Sequence, residues 1–88
     1  MNAMNSTRDL KTQVRNRSHL IRFVRILKEI KFIDAIAILG VARGTVNNWE
    51  TASVPITDKI FNHVIEKFNV TEQEVRIYLE YCEGYEIE

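Results

Sequence analysis

Apolar residues recur along most of the chain at steps of three and four, the period of a helix with one buried face. Leu20, Ile21, Phe23, Val24, Ile26, Leu27 and Ile30 set the first such stripe. It predicts an amphipathic helix from a Ser18 cap to about Lys31, with Arg22, Arg25 and Lys28 on another, solvated face. A short helix follows over about Ile33 to Leu39, and Gly40 ends it. A second short helix fits Arg43 to Glu50, with Val46 and Trp49 three apart on one side. Pro55 lies in the loop beyond or opens the next helix. Ile56, Ile60, Phe61, Val64, Ile65 and Phe68 mark a fourth helix, begun near Thr57 or Asp58 and ended at Asn69. Thr71 with Glu74 three residues on is a capping-box signature. Val75, Tyr78, Leu79 and Cys82 then line the core face of a fifth helix. No stretch alternates apolar and polar as a half-buried strand does. The pattern therefore predicts an all-α fold, a compact five-helix domain.

The chain has 88 residues, enough for one small domain. A domain of this size buries only about 60% of its unfolded surface, so dimerisation would add useful stability. Twelve Lys and Arg balance twelve Asp and Glu, and the zero net charge hides a segregation. Through Trp49 there are nine bases and three acids, a balance of +6; from Glu50 onward there are three bases and nine acids, a balance of −6. Binding to a polyanion responds to the local field, so this distribution is compatible with nucleic acid where the net charge alone argues against it. The longest apolar run, eight residues from Ala35 to Ala42, is far short of the roughly 20 a membrane span needs. Residues 1–7 lack the apolar core of a signal peptide, and a cytoplasmic protein is expected. One cysteine, Cys82, cannot form an intramolecular disulfide, and its place on the apolar stripe predicts a buried core residue. His19 and His63 have no partners at metal-ligand spacing, and no nucleophile–base pair or phosphate-cradling glycine loop occurs. Neither an enzyme nor a cofactor or metal site is expected.

Two short helices joined through a glycine are the frame of a helix-turn-helix. Ala35, Ile36 and Leu39 supply the packing face of the first helix, Gly40 the turn, and Val41 tucks beneath it. With Val46 and Trp49 facing inward, Arg43, Gly44, Thr45, Asn47 and Asn48 remain on the side that would enter a major groove. Arg suits guanine, Asn suits adenine, and Gly44 permits close backbone approach.

The run from Leu39-Gly40-Val41 to Trp49-Glu50 resembles the helix-turn-helix of phage-repressor and Cro-type regulators, the xenobiotic-response-element family. The resemblance extends over roughly Leu20 to Leu79. It implies a lambda-repressor-like domain of four or five helices that binds operator DNA as a dimer. It also implies that Arg43, Gly44, Thr45, Asn47 and Asn48 make the base contacts. The chain departs from the family pattern in three ways. Phe32 stands where the family usually has a phosphate-holding Gln, and Ala42 where a capping Ser is usual. Ala35-Ile36 reverses the family's order of large and small residues.

Residues 1–17 read as a flexible basic arm, with Arg8, Lys11, Arg15 and Arg17 as phosphate contacts. Residues 18–82 form the helical domain and 83–88 an acidic tail. Ile77, Tyr81 and Tyr85 make a second apolar line that needs another surface, and they are assigned to a homodimer interface. The expected function is a sequence-specific DNA-binding regulator, a repressor of a phage or other mobile element. The alternative is a protein-interaction module on the same fold, a modulator or antirepressor that binds a larger regulator.

Overall fold

Five helices form in the computed structural model, which describes residues 10–84. They are α1 (Arg17–Leu27), α2 (Phe32–Leu39), α3 (Arg43–Glu50), α4 (Asp58–Lys67) and α5 (Glu72–Cys82), with no strand among the described residues. Arg8 of the expected arm and Tyr85 of the expected tail lie outside the described residues.

Local chemistry explains most of the boundaries. Asn16, not Ser18, caps α1, its side chain accepting the His19 N–H at 3.0 Å. Ser18 lies inside the first turn and is buried. Thr57 caps α4, and Thr71 with Glu74 completes the expected capping box on α5. α1 stops at Leu27, short of the expected Lys31, because the chain turns left-handed at Glu29 (φ 58). The Ile30 N–H then reaches back to the Arg25 carbonyl at 2.9 Å and Glu29 to Ile26 at 2.9 Å, closing a Schellman motif. Asn69 (φ 53) ends α4 in the same way, through Val70 to Ile65 and Asn69 to Glu66.

α1 packs against α3 and α5, while α2 packs against α3 and α4. The shared core takes Leu20, Ile21 and Val24 from α1, Ala35 and Leu39 from α2, and Val46 and Trp49 from α3. Phe61 and Val64 of α4 and Val75, Tyr78 and Leu79 of α5 complete its helical part. Cys82 is only partly buried against this core, a correction to its expected full burial. Its thiol pKa is pushed up, first by burial and then by the Glu83 charge.

The segment before α1 is part of the domain rather than an arm. Leu10 and Val14 are 5% and 8% exposed and sit in the core cluster. The Glu83 carboxylate accepts the backbone N–H groups of Arg15 and Asn16, each at 3.1 Å. The Tyr78 hydroxyl donates to the Asn16 carbonyl at 3.1 Å. The expected boundaries at 17 and at 83 are thus corrected: residues 10–17 pack, and Glu83 fastens them to the end of α5. Burial pushes the Glu83 pKa up, but the Asn16 N–H, the Tyr78 hydroxyl and the Arg15 N–H and charge together leave it below its ordinary value. The Tyr78 pKa is raised, mostly by burial and then by the neighbouring Glu83. Among the described residues no helix is long and apolar enough to cross a membrane.

Candidate nucleic-acid interface

α2 and α3 are separated by residues 40–42 alone. Gly40 takes φ 70 and its N–H closes on the Ile36 carbonyl at 2.9 Å. A side chain there would be strained by the left-handed backbone, although nothing lies within 4 Å of the place its Cβ would take. The turn lets α3 lie across α2 with Val46 and Trp49 buried. The opposite side of α3 carries Arg43, Gly44, Asn47 and Asn48, all exposed, with Thr45 half-buried at its edge. Four of the five residues expected at the groove therefore share the outer side of one eight-residue helix, and Thr45 borders it.

α3 is badly started by the rules that govern helix ends. Ala42 provides no side-chain cap, and no acid lies in the first turn. Arg43 places a cation at the positive end of the helix dipole, and Gly44 follows. The missing cap costs about 1 kcal/mol and the glycine up to about 1 kcal/mol. An eight-residue helix has little stability of its own, so burial of Val46 and Trp49 must hold it in place. Local rules broken together on one exposed turn are the mark of a surface shaped by something other than stability.

Behind this face lies a charged pair that local sequence patterns do not reveal. Arg25 of α1 meets the Glu50 carboxylate in two bonds, Nε to Oε2 at 2.6 Å and Nη2 to Oε1 at 3.1 Å. Its Nη1 also donates to the Ile30 carbonyl at 3.0 Å. The pair is largely out of water, the side chains being 15% and 7% exposed. Arg25 and Lys28 were expected on a solvated face. Instead Arg25 bridges α1 to α3, and Lys28 bridges α1 to α5 through Glu74 at 3.0 Å. Arg22 has no recorded ion pair and lines a surface cleft with Arg25, Phe32, Asn47, Glu50 and Thr51. Phe32 is half-buried at the start of α2, with the Arg25 and Arg43 guanidiniums 5.6 and 5.5 Å from its ring centroid.

Of the cations expected to follow phosphates, Lys11, Arg15 and Arg17 face partners within the domain, and Arg8 lies outside the described residues. Lys11 donates to the Asn62 side chain. Arg15 is drawn to Glu83. Arg17 donates to the Ile56 carbonyl at 2.8 Å, pairs with Asp58 at 2.7 Å, and lies over the Phe61 ring at 4.8 Å. The buried Leu10 and Val14 anchor this stretch, so its cations reach neighbouring helices first.

Of the residues expected at a dimer interface, Tyr81 is 81% exposed and Ile77 is half-buried. Ile26 and Leu27, expected in the core, are exposed and line an apolar groove on α1 with His19, Arg22 and Phe23. His63 donates its Nε2–H to the Leu39 carbonyl at 2.9 Å, which supplies a partner at the C-terminal end of α2. No cluster of His, Cys, Asp or Glu able to hold a metal occurs among the described residues. Comparison of the chain with family models, with curated proteins and with solved structures returns no match in any of the three.

Proposed function

We propose that the chain is a sequence-specific DNA-binding regulator in which α2, residues 40–42 and α3 act as a helix-turn-helix. In this reading α3 enters the major groove of operator DNA. Arg43, Asn47 and Asn48 read base edges, Thr45 lies at the margin, and Gly44 brings the backbone close. The observation that carries the reading is the division of α3. Val46 and Trp49 are buried, while Arg43, Asn47 and Asn48 project outward with no hydrogen bond recorded for their side chains. A helix whose outer side chains are short amides and one guanidinium offers the donors and acceptors that distinguish base pairs. Arg22, exposed and lining a cleft with Asn47, supplies a cation beside the same face for a phosphate contact. The resemblance to phage-repressor and Cro-type regulators points the same way and suggests a cytoplasmic repressor of a phage or mobile element. It further suggests that two copies bind a divided site.

Selection from a random pool of double-stranded DNA tests this directly. The parent protein should enrich a palindromic motif, and the Arg43→Ala plus Asn47→Ala variant should lose it while keeping the helical circular-dichroism spectrum. Binding should also weaken steeply with salt, as phosphate contacts release counterions. A folded parent that enriches nothing overturns the reading. The protein-interaction module then becomes the working account, with the apolar groove of α1 as the surface to follow.

A further inference from the structure

We infer that Phe32 is a positioning residue for base readout: its ring holds the Arg43 guanidinium in place without consuming any of its donors. The inference rests on the DNA-reading function proposed above and names a specificity determinant within it.

The geometry has three parts. First, the Arg43 guanidinium sits 5.5 Å from the Phe32 centroid, within the range where a cation is drawn to a ring face. No hydrogen bond or ion pair is recorded for it, so its five N–H groups stay open. A hydrogen-bonding side chain at position 32 would occupy some of those donors, whereas a ring orients the group through its face alone. A guanidinium with all donors open can still make the two bonds that recognise guanine at O6 and N7.

Second, the ring is itself held. Phe32 packs against the core cluster, and the Arg25 guanidinium lies 5.6 Å from its centroid. Arg25 cannot drift, because Glu50 takes two of its nitrogens and the Ile30 carbonyl a third. Third, the charges are arranged so that two cations can share one ring. The Glu50 carboxylate neutralises Arg25, which removes most of the repulsion that a bare guanidinium would exert on Arg43. Arg43 also sits at the N-terminus of α3, where the helix dipole disfavours a cation. The electron-rich ring face offsets that penalty. A long, flexible side chain is thereby ordered before DNA arrives, and the entropy of ordering it does not count against binding.

The test is a cycle of Phe32→Leu, Phe32→Tyr, Arg43→Ala and the double variant Phe32→Leu plus Arg43→Ala. Each is titrated on the selected motif and on single-base changes through one half-site. Phe32→Leu keeps an apolar side chain and removes the ring. It should reduce base discrimination about two- to fivefold, the size of an exposed cation–π contact, and only at the position Arg43 reads. Phe32→Tyr keeps the ring and should retain the parent's discrimination. In the Arg43→Ala background, Phe32→Leu should change nothing further. A purely structural role would lower affinity at every position alike and would persist without Arg43, and that result overturns the proposal. So does a Phe32→Leu variant with unaltered discrimination, while the parent's motif leaves the DNA-reading function standing. A folded parent that selects no motif removes both.

Discussion

Gly44 illustrates how a single residue separates stability from function in this chain. It lies in α3 at a φ that any residue adopts, and nothing stands within 4 Å of where a Cβ would go. Packing therefore does not require glycine. Gly44→Ala should raise the unfolding free energy by up to about 1 kcal/mol, because alanine loses less backbone entropy in a helix. If the backbone approaches a groove closely at this point, the same change should weaken DNA binding. Thermal melts and a titration on the selected motif check both halves; a more stable variant with undiminished affinity would remove Gly44 from the interface. Glu83 is the opposite case, a residue whose value is structural. Folding lowers its pKa from an ordinary value near 4.5, so the folded form binds a proton there less readily than the unfolded chain. Its contribution is complete above that ordinary value and is lost as pH falls through the lowered folded value. Glu83→Gln should melt below the parent at pH 7, and the difference should shrink as the solution is acidified below the ordinary carboxyl value. A difference that is constant with pH would mean the carboxylate charge is not what fastens residues 15–16.

At the scale of elements, what could be read from the chain divides along the line between local and distant partners. The five helices follow from apolar spacing, and Gly40, Thr57, Asn69 and the Thr71–Glu74 box mark ends within three residues of themselves. The outward set on α3 follows from the same spacing, because Val46 and Trp49 fix which side is inside. Three features are decided by residues far apart and carry no local signature. Arg25 and Glu50 are 25 positions apart, and nothing in either neighbourhood announces the other. Leu10 and Val14 are too sparse to form a visible stripe, yet Asn16, Tyr78 and Glu83 tie that stretch to α5. Ile26 and Leu27 are apolar yet exposed beside His19, Arg22 and Phe23: Leu20, Ile21 and Val24 fix the buried side of α1, and apolar type alone does not separate the two groups. The Arg25–Glu50 bridge also makes a sharp energetic prediction. Arg25→Ala leaves a carboxylate only 7% exposed without its partner and should cost about 3–5 kcal/mol in chemical denaturation. Arg25→Met with Glu50→Leu should fold with stability close to the parent, since a desolvated pair returns little beyond its burial cost. A double variant as unstable as the single one would show that the bridge contributes net stability of its own.

For the whole molecule, the open question of scale is how two copies would meet, and two faces compete. One is the outer side of α5, where Tyr81 is 81% exposed beside half-buried Ile77. The other is the α1 groove, where Ile26 and Leu27 are 55% and 44% exposed beside Phe23. A domain this small leaves a large share of its apolar area in water, and covering either patch would help hold it folded. The α5 face has the more favourable anchor, because a tyrosine buries a large area for two rotatable bonds and keeps a polar tip for the rim. The α1 groove is lined by Arg22, an exposed cation, so a second copy approaching there about a two-fold axis would bring like charges together. The prediction is therefore asymmetric. Sedimentation at micromolar concentration should show self-association in the parent, loss of it in Tyr81→Ser, and little change in Ile26→Ser plus Leu27→Ser. Both substitutions are on exposed residues and should leave the single chain folded, so any drop in the Tyr81→Ser melting temperature should vanish at dilutions where the parent is also monomeric. If the α1 variant alone becomes monomeric, the dimer runs through the groove instead, and the charge on Arg22 must then be met by an acid across the interface. A two-copy protein of either kind has its α3 faces related by a two-fold axis, which requires the selected DNA motif to be palindromic. A monomeric parent paired with a non-palindromic motif would mean that a single α3 reads its site unaided.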